Sequence, residues 1–213
     1  IGSCTNSSYR DLATVARILR GKVAHPRVSL IITPGSRQVL ENLARDGYLA
    51  DLLAAGARLT ESSCGFCIGG SHSPGSKGVS LRTSNRNFYG RSGTEDAEVY
   101  LVSPETAAAA AVAGAVTDPR DLGMDFPAVA MPEAFRVDDC MILEPAPPGK
   151  AASVQIVRGP NIGSPPENGP LPERLDGEVT LKVGDKITTD HIMPAGARMK
   201  YRSNIPRYAD YVF

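Results

Sequence analysis

Val28-Ser29-Leu30-Ile31-Ile32-Thr33, closed by Pro34-Gly35 and followed by Ser36-Arg37-Gln38-Val39-Leu40, is the stretch that decides the fold. A short β-branched run bounded by turn residues reads as a buried strand, and Ser36 is placed to cap a helix running to about Asp46. Toward the start, Ser7 or Ser8 can cap a helix over 9–20, where Leu12, Val15, Ala16 and Leu19 share one face and Gly21 ends it. Further on, 51–55 continues as a short helix and 57–60 as a strand. Residues 79–83 and 98–102 read as strands too, and Pro104 stands in the first turn of a helix through Ala113. Strands alternating with helices predict an α/β domain over residues 1–122.

From 123 to 175 the composition changes to a proline-rich linker, with prolines at 127, 132, 145, 147, 148, 160, 165, 166, 170 and 172. Beyond it Glu178 to Val183 alternates like a strand and Gly184-Asp185 turns, so 176–213 is expected to begin a second domain. The chain opens at Ile1 inside a loop motif and stops at Phe213 just after a patterned segment, and is expected to be a piece of a longer polypeptide.

A hydrophobic content of 42% over 213 residues can fill one substantial core and part of another. Basic and acidic side chains balance at 23 each, so no global field draws the protein to nucleic acid or an anionic membrane, and any anion binding must be local. The longest apolar run, around Ala107 to Val116, falls short of a membrane span. Four cysteines in a chain of this length are no dense disulfide framework, and no signal peptide is visible, which favours a reducing, cytoplasmic setting.

Three of those cysteines lie in polar, glycine-rich loops: Gly2-Ser3-Cys4-Thr5-Asn6-Ser7-Ser8 and Cys64-Gly65-Phe66-Cys67-Ile68-Gly69-Gly70. Thiolates bind iron only when deprotonated and accessible, which suits such loops, and three of them on an iron-sulfur cubane leave one iron open for Lewis-acid chemistry. Taken alone, Cys4 reads as an incidental cysteine. A thioredoxin-like reading of Cys64 and Cys67 needs a helix to open at the pair, and Gly69-Gly70 argues against one. Zinc stays open, with His72 or Cys140 as a fourth ligand.

A second polar stretch, Leu81-Arg82-Thr83-Ser84-Asn85-Arg86-Asn87-Phe88-Tyr89-Gly90-Arg91, follows a strand; Arg86 and Arg91 carry forks suited to carboxylates, and Asn85 adds a neutral partner. Its bland reading is a solvated charged loop. A third group runs from Gly184 through Thr188-Thr189-Asp190-His191-Ile192-Met193-Pro194-Ala195-Gly196 to Arg202-Ser203-Asn204. Asp190 and His191 are acid/base candidates, but neighbours on a strand face opposite ways, so one of them is expected to be structural. Arg202 reads by default as a surface arginine.

Together these motifs resemble the aconitase family of iron-sulfur hydro-lyases, which includes aconitate hydratase, homoaconitase and isopropylmalate isomerase. The resemblance implies a three-layer α/β/α domain followed by the start of a β/α swivel domain. It makes Cys4, Cys64 and Cys67 ligands of a 4Fe-4S cluster, Asn85, Arg86, Arg91 and Arg202 substrate contacts, and Asp190 an active-site aspartate, while Cys140 matches no cluster position. The reaction implied is reversible dehydration and rehydration of a small tricarboxylate, with aconitate hydratase of the tricarboxylic acid cycle the leading member because cluster and swivel segments run on in one chain. The family's base, a serine in a later swivel-domain loop, and its residues upstream of the first cysteine are expected from regions of the enzyme outside this sequence, so these 213 residues alone are expected to be inactive. A nucleic-acid-binding role of the cluster-free protein is the reading from another class; neutral charge and the lack of a basic aromatic stripe count against it.

Overall fold

The computed structural model describes residues 1–193 and 198–213; Pro194, Ala195 and Gly196 of the third motif lie outside the described residues. The chain divides into two compact units, 1–142 and 143–213.

The first unit is built on helix α1 (Tyr9–Leu19), whose face of Leu12, Val15, Ala16 and Leu19 is fully buried. Ser8 caps it, its hydroxyl accepting from the Asp11 N–H while the Asp11 carboxylate accepts from the Ser8 N–H, which satisfies two donors that the helix leaves orphaned. Strand β1 (Ile31–Ile32) follows, then α2 (Arg37–Arg45) capped by Ser36, α3 (Tyr48–Ala54) and β2 (Arg58–Leu59). Helix α3 starts three residues earlier than the sequence predicts because Gly47, at φ +84°, turns the chain directly from α2 into it. After the second cysteine loop come β3 (Val79–Arg82), β4 (Glu98–Leu101) and α4 (Pro104–Ala113). Helix α4 starts on Ser103 and Pro104 and stops at left-handed Gly114; its alanines let it lie close against α1, with Ala108 fully buried.

Both sheets are two-stranded and parallel, β1 with β2 and β3 with β4, as expected of an α/β domain. The strands at 28–33 and 57–60 are shorter than predicted. Only Ile31 and Ile32 have ladder partners in β2, and the opposite edge of β1 borders a cavity of about 470 Å³. That cavity lies between Leu30–Ile31 and Val79–Arg82. At its end Ile1 begins a further parallel ladder, donating to the Ile31 carbonyl at 2.7 Å and accepting from the Thr33 N–H at 2.9 Å.

Residues 123–142, compositionally part of the linker, pack on α2. The Asn42 side chain, 1% exposed, donates to the Arg136 carbonyl and accepts the Arg136 N–H. No residue between 123 and 188 forms a strand or an α-helix.

In the second unit, Glu178 to Val183 forms no strand, correcting the expectation from its alternation. It has no ladder partner among the described residues, and Val179, Leu181 and Val183 are exposed. Helices α5 (Thr189–Ile192) and α6 (Ile205–Ala209) are short. The chain end closes on this unit through the Phe213 N–H, which donates to the Ile192 carbonyl, and through Tyr201 stacked on Tyr211. No helix among the described residues is long and apolar enough to cross a membrane.

Candidate functional site

The site is built around the carboxyl end of β3. Thr83, fully buried, follows directly on that strand and holds the first cysteine loop: its hydroxyl accepts the Gly2 N–H at 2.7 Å, and its carbonyl accepts from Asn6 Nδ2 at 2.8 Å. Gly2 has φ +119°, and a Cβ there would stand 2.0 Å from the Thr33 carbonyl oxygen, so the approach of this loop to the end of β1 admits glycine alone. Within the loop, the Ser3 hydroxyl accepts from the N–H groups of Thr5 and Asn6, and Ser7 donates to the Ser3 carbonyl. Cys4 stands exposed on this frame.

Arg82, the last residue of β3, holds the second loop. Arg82 is 4% exposed, and its guanidinium donates to the carbonyls of Phe66 and His72. Phe66–Ile68 makes one 3-10 turn, ended by left-handed Gly69, and no α-helix opens at the cysteine pair. Cys64 is exposed and Cys67 half-buried, and all four cysteines are free thiols.

The arginine loop leaves the same strand end. Ser84 is buried, while Asn85, Arg86 and Asn87 are exposed, Asn87 donating to the Val99 carbonyl. Arg91 turns back to the cysteine pair. Its Nε donates to the Cys67 carbonyl at 3.2 Å, its Nη2 lies 3.7 Å from Cys67 Sγ, and its guanidinium covers the Phe88 ring at 5.4 Å. The hydroxyls of Ser84 and Ser92, one before and one after this loop, are buried with no hydrogen-bond partner.

These features fit a cluster in the kind and freedom of the donors and in the anchoring of all three loops at one strand end. Among the described residues, no group of three or more His, Cys, Asp or Glu side chains is drawn together to hold a metal ion, so neither an iron-sulfur nor a zinc ligand set is preformed. His72 instead lends its carbonyl to Arg82, and burial beside Arg58 and Arg82 lowers its pKa. Cys140 lies exposed beside Arg37.

Asp190 and His191 lie in the second unit, on helix α5 rather than on the strand that the sequence reading assumed. His191 Nδ1 accepts the Thr188 N–H at 2.9 Å, closing the first turn of α5. Arg202 is exposed in the turn before α6. The sequence places Arg82 and Thr83 within the arginine stretch without marking a role for them, and nothing in it singles out Ser92. Arginine is rarely buried, and a strand-end threonine carries no signature of its own.

A parallel α/β unit with free thiols and an arginine grouped at one strand end is a scaffold for anionic ligands and metals. The chain belongs to the aconitase family, whose profile, described as aconitase (aconitate hydratase), matches residues 1–114. It is 52% identical over 125 residues to the homoaconitase large subunit of Thermus thermophilus, covering 57% of this chain and 29% of that protein. It is 50% identical over 123 residues to the 3-isopropylmalate dehydratase large subunit of Mycolicibacterium smegmatis, covering 56% and 29%. The corresponding subunit 1 of Methanopyrus kandleri is 48% identical over 121 residues, covering 56% and 29%. The chain thus spans 29% of the length of these relatives.

Proposed function

We propose that this chain contributes the cluster and substrate loops of a hydro-lyase that moves a hydroxyl between adjacent carbons of a small polycarboxylate. The observation that carries the reading is the joint anchoring of the Cys4 and Cys64–Cys67 loops on Thr83 and Arg82, with Arg91 turned onto Cys67. Cys4, Cys64 and Cys67 would hold a 4Fe-4S cluster, and when bound it supplies a Lewis-acidic iron toward a hydroxyl oxygen.

The chain's own residues do the orienting. Arg91 and Arg86 offer planar forks to substrate carboxylates and Asn85 a neutral amide, which fixes the reacting carbons and favours the charge that builds as the C–H proton leaves. Asp190 and Arg202, on the second unit, enter this proposal on the resemblance alone. The bond from Thr188 to His191 supports a capping role for that histidine and leaves Asp190 as the active-site carboxylate of the pair.

Homoaconitase or isopropylmalate isomerase activity is the better-supported member of the class. The relatives carry those names, and the aconitate hydratase and tricarboxylic acid cycle reading gives way to it. Those relatives are named large subunits, which supports assembly with a small-subunit type of swivel domain, with 176–213 as the beginning of one. A three-layer sheet domain belongs to the same proposal; a strand laid in the cavity between β1 and β3 would join the two parallel pairs into one sheet. A reducing, cytoplasmic location is carried with it.

The test is iron and acid-labile sulfide analysis after anaerobic reconstitution of the 213-residue chain and of Cys64→Ser. Alkene formation from homocitrate, isopropylmalate and citrate is then followed with the longer polypeptide and its small subunit. Iron and sulfide bound by the wild type and lost in the variant are expected. Zinc without sulfide would overturn the reading.

A further inference from the structure

We propose that Arg82 is a positioning residue for Cys67: its guanidinium fixes the backbone on both sides of that thiol. This rests on the cluster reading above.

The guanidinium uses every edge of its fork. Nη1 donates to the Phe66 carbonyl, Nη2 to the His72 carbonyl at 2.9 Å and Nε to the Ser80 hydroxyl at 3.1 Å, with the Phe66 ring 5.8 Å away. Phe66 precedes Cys67 directly, and His72 closes the glycine turn after it, so one planar group clamps both ends of the segment that carries the thiol. The base of the clamp is rigid, because the Arg82 carbonyl accepts the Val102 N–H in the β3–β4 ladder.

All of these acceptors are neutral, and no carboxylate pairs with Arg82 among the described residues. A buried guanidinium is tolerated only where its N–H donors find acceptors, which these three oxygens provide while burial lowers its pKa. Thr83, one residue on, holds the Cys4 loop, so adjacent residues at one strand end hold the loops of Cys4 and Cys67. Lysine cannot reproduce the clamp: an ammonium on a flexible stem reaches one carbonyl where the fork spans two.

The experiment uses the 213-residue chain, metal-free and under argon, as wild type, Arg82→Met and Arg82→Lys. Hydrogen exchange is read on peptides over 64–73, with α1 peptides as the reference. Loss of charge-assisted hydrogen bonds predicts amide exchange at Gly69 and Gly70 about tenfold faster or more in Arg82→Met, with Arg82→Lys in between and α1 unchanged. After anaerobic reconstitution, iron, sulfide and the lifetime of the visible absorption follow the same order. Unchanged loop exchange in a folded Arg82→Met overturns the proposal. Should that variant fail to fold, the wild type still decides: slowly exchanging Arg82 guanidinium protons by NMR support the clamp, and rapid exchange overturns it. A wild type that takes up no cluster, yet whose loop loosens in Arg82→Met, keeps the clamp and removes the cluster reading. A loaded wild type indistinguishable from Arg82→Met in both measurements does the reverse.

Discussion

Arg91 meets Cys67 at two points, its Nε donating to the carbonyl at 3.2 Å and its Nη2 lying 3.7 Å from the sulfur. The Phe88 ring beneath the guanidinium limits its rotation, so the side chain is already turned toward the thiol. A planar fork held this way is suited to a charge-assisted pair with a carboxylate.

Arg91→Lys in the assembled enzyme is therefore expected to raise KM for the polycarboxylate by about tenfold to a hundredfold, the loss of a charge-assisted pair. Iron content is expected to stay near the wild-type value, because Arg91 binds no metal. Steady-state kinetics with iron analysis on the same preparation checks both; an unchanged KM would remove Arg91 from substrate binding.

Gly2→Ala tests the packing of the first cysteine loop. The new Cβ would fall 2.0 Å from the Thr33 carbonyl oxygen at a φ of +119°, so strain and overlap add to a loss of about 2–6 kcal/mol. Gly21→Ala is the control: at φ +70° with nothing within 4 Å of the new Cβ, it should cost about 1–2 kcal/mol. Thermal unfolding of the two variants is expected to separate them clearly.

The helices were legible because their signals are local. The buried stripe of Leu12, Val15, Ala16 and Leu19 and the caps at Ser8, Ser36 and Ser103 depend on residues a few positions apart. Strand lengths were not, since pairing is set by distant partners: 28–33 meets β2 only at Ile31 and Ile32, and Glu178 to Val183 alternates correctly yet meets no strand among the described residues. The cysteine and arginine loops stood out by composition. Which residues hold them did not, because the burial of Arg82 and Thr83 arises from loops arriving from far along the chain. The local structure at Asp190 and His191 differs from the strand expected of it for a related reason. A strand argument was applied to Asp190 and His191, and a capping bond from Thr188 makes the segment a helical turn.

Asn42 measures how firmly residues 123–142 belong to the first unit. Its amide satisfies both the N–H and the carbonyl of Arg136, at 2.8 and 3.0 Å, and also donates to the Gln38 carbonyl. Asn42→Ala leaves two backbone groups of Arg136 without these partners and is expected to cost about 2–4 kcal/mol. Exchange of the amides over 133–140 should rise with it. A melting temperature within a degree or so of wild type, for a change worth several degrees by this estimate, would show that the segment is held elsewhere.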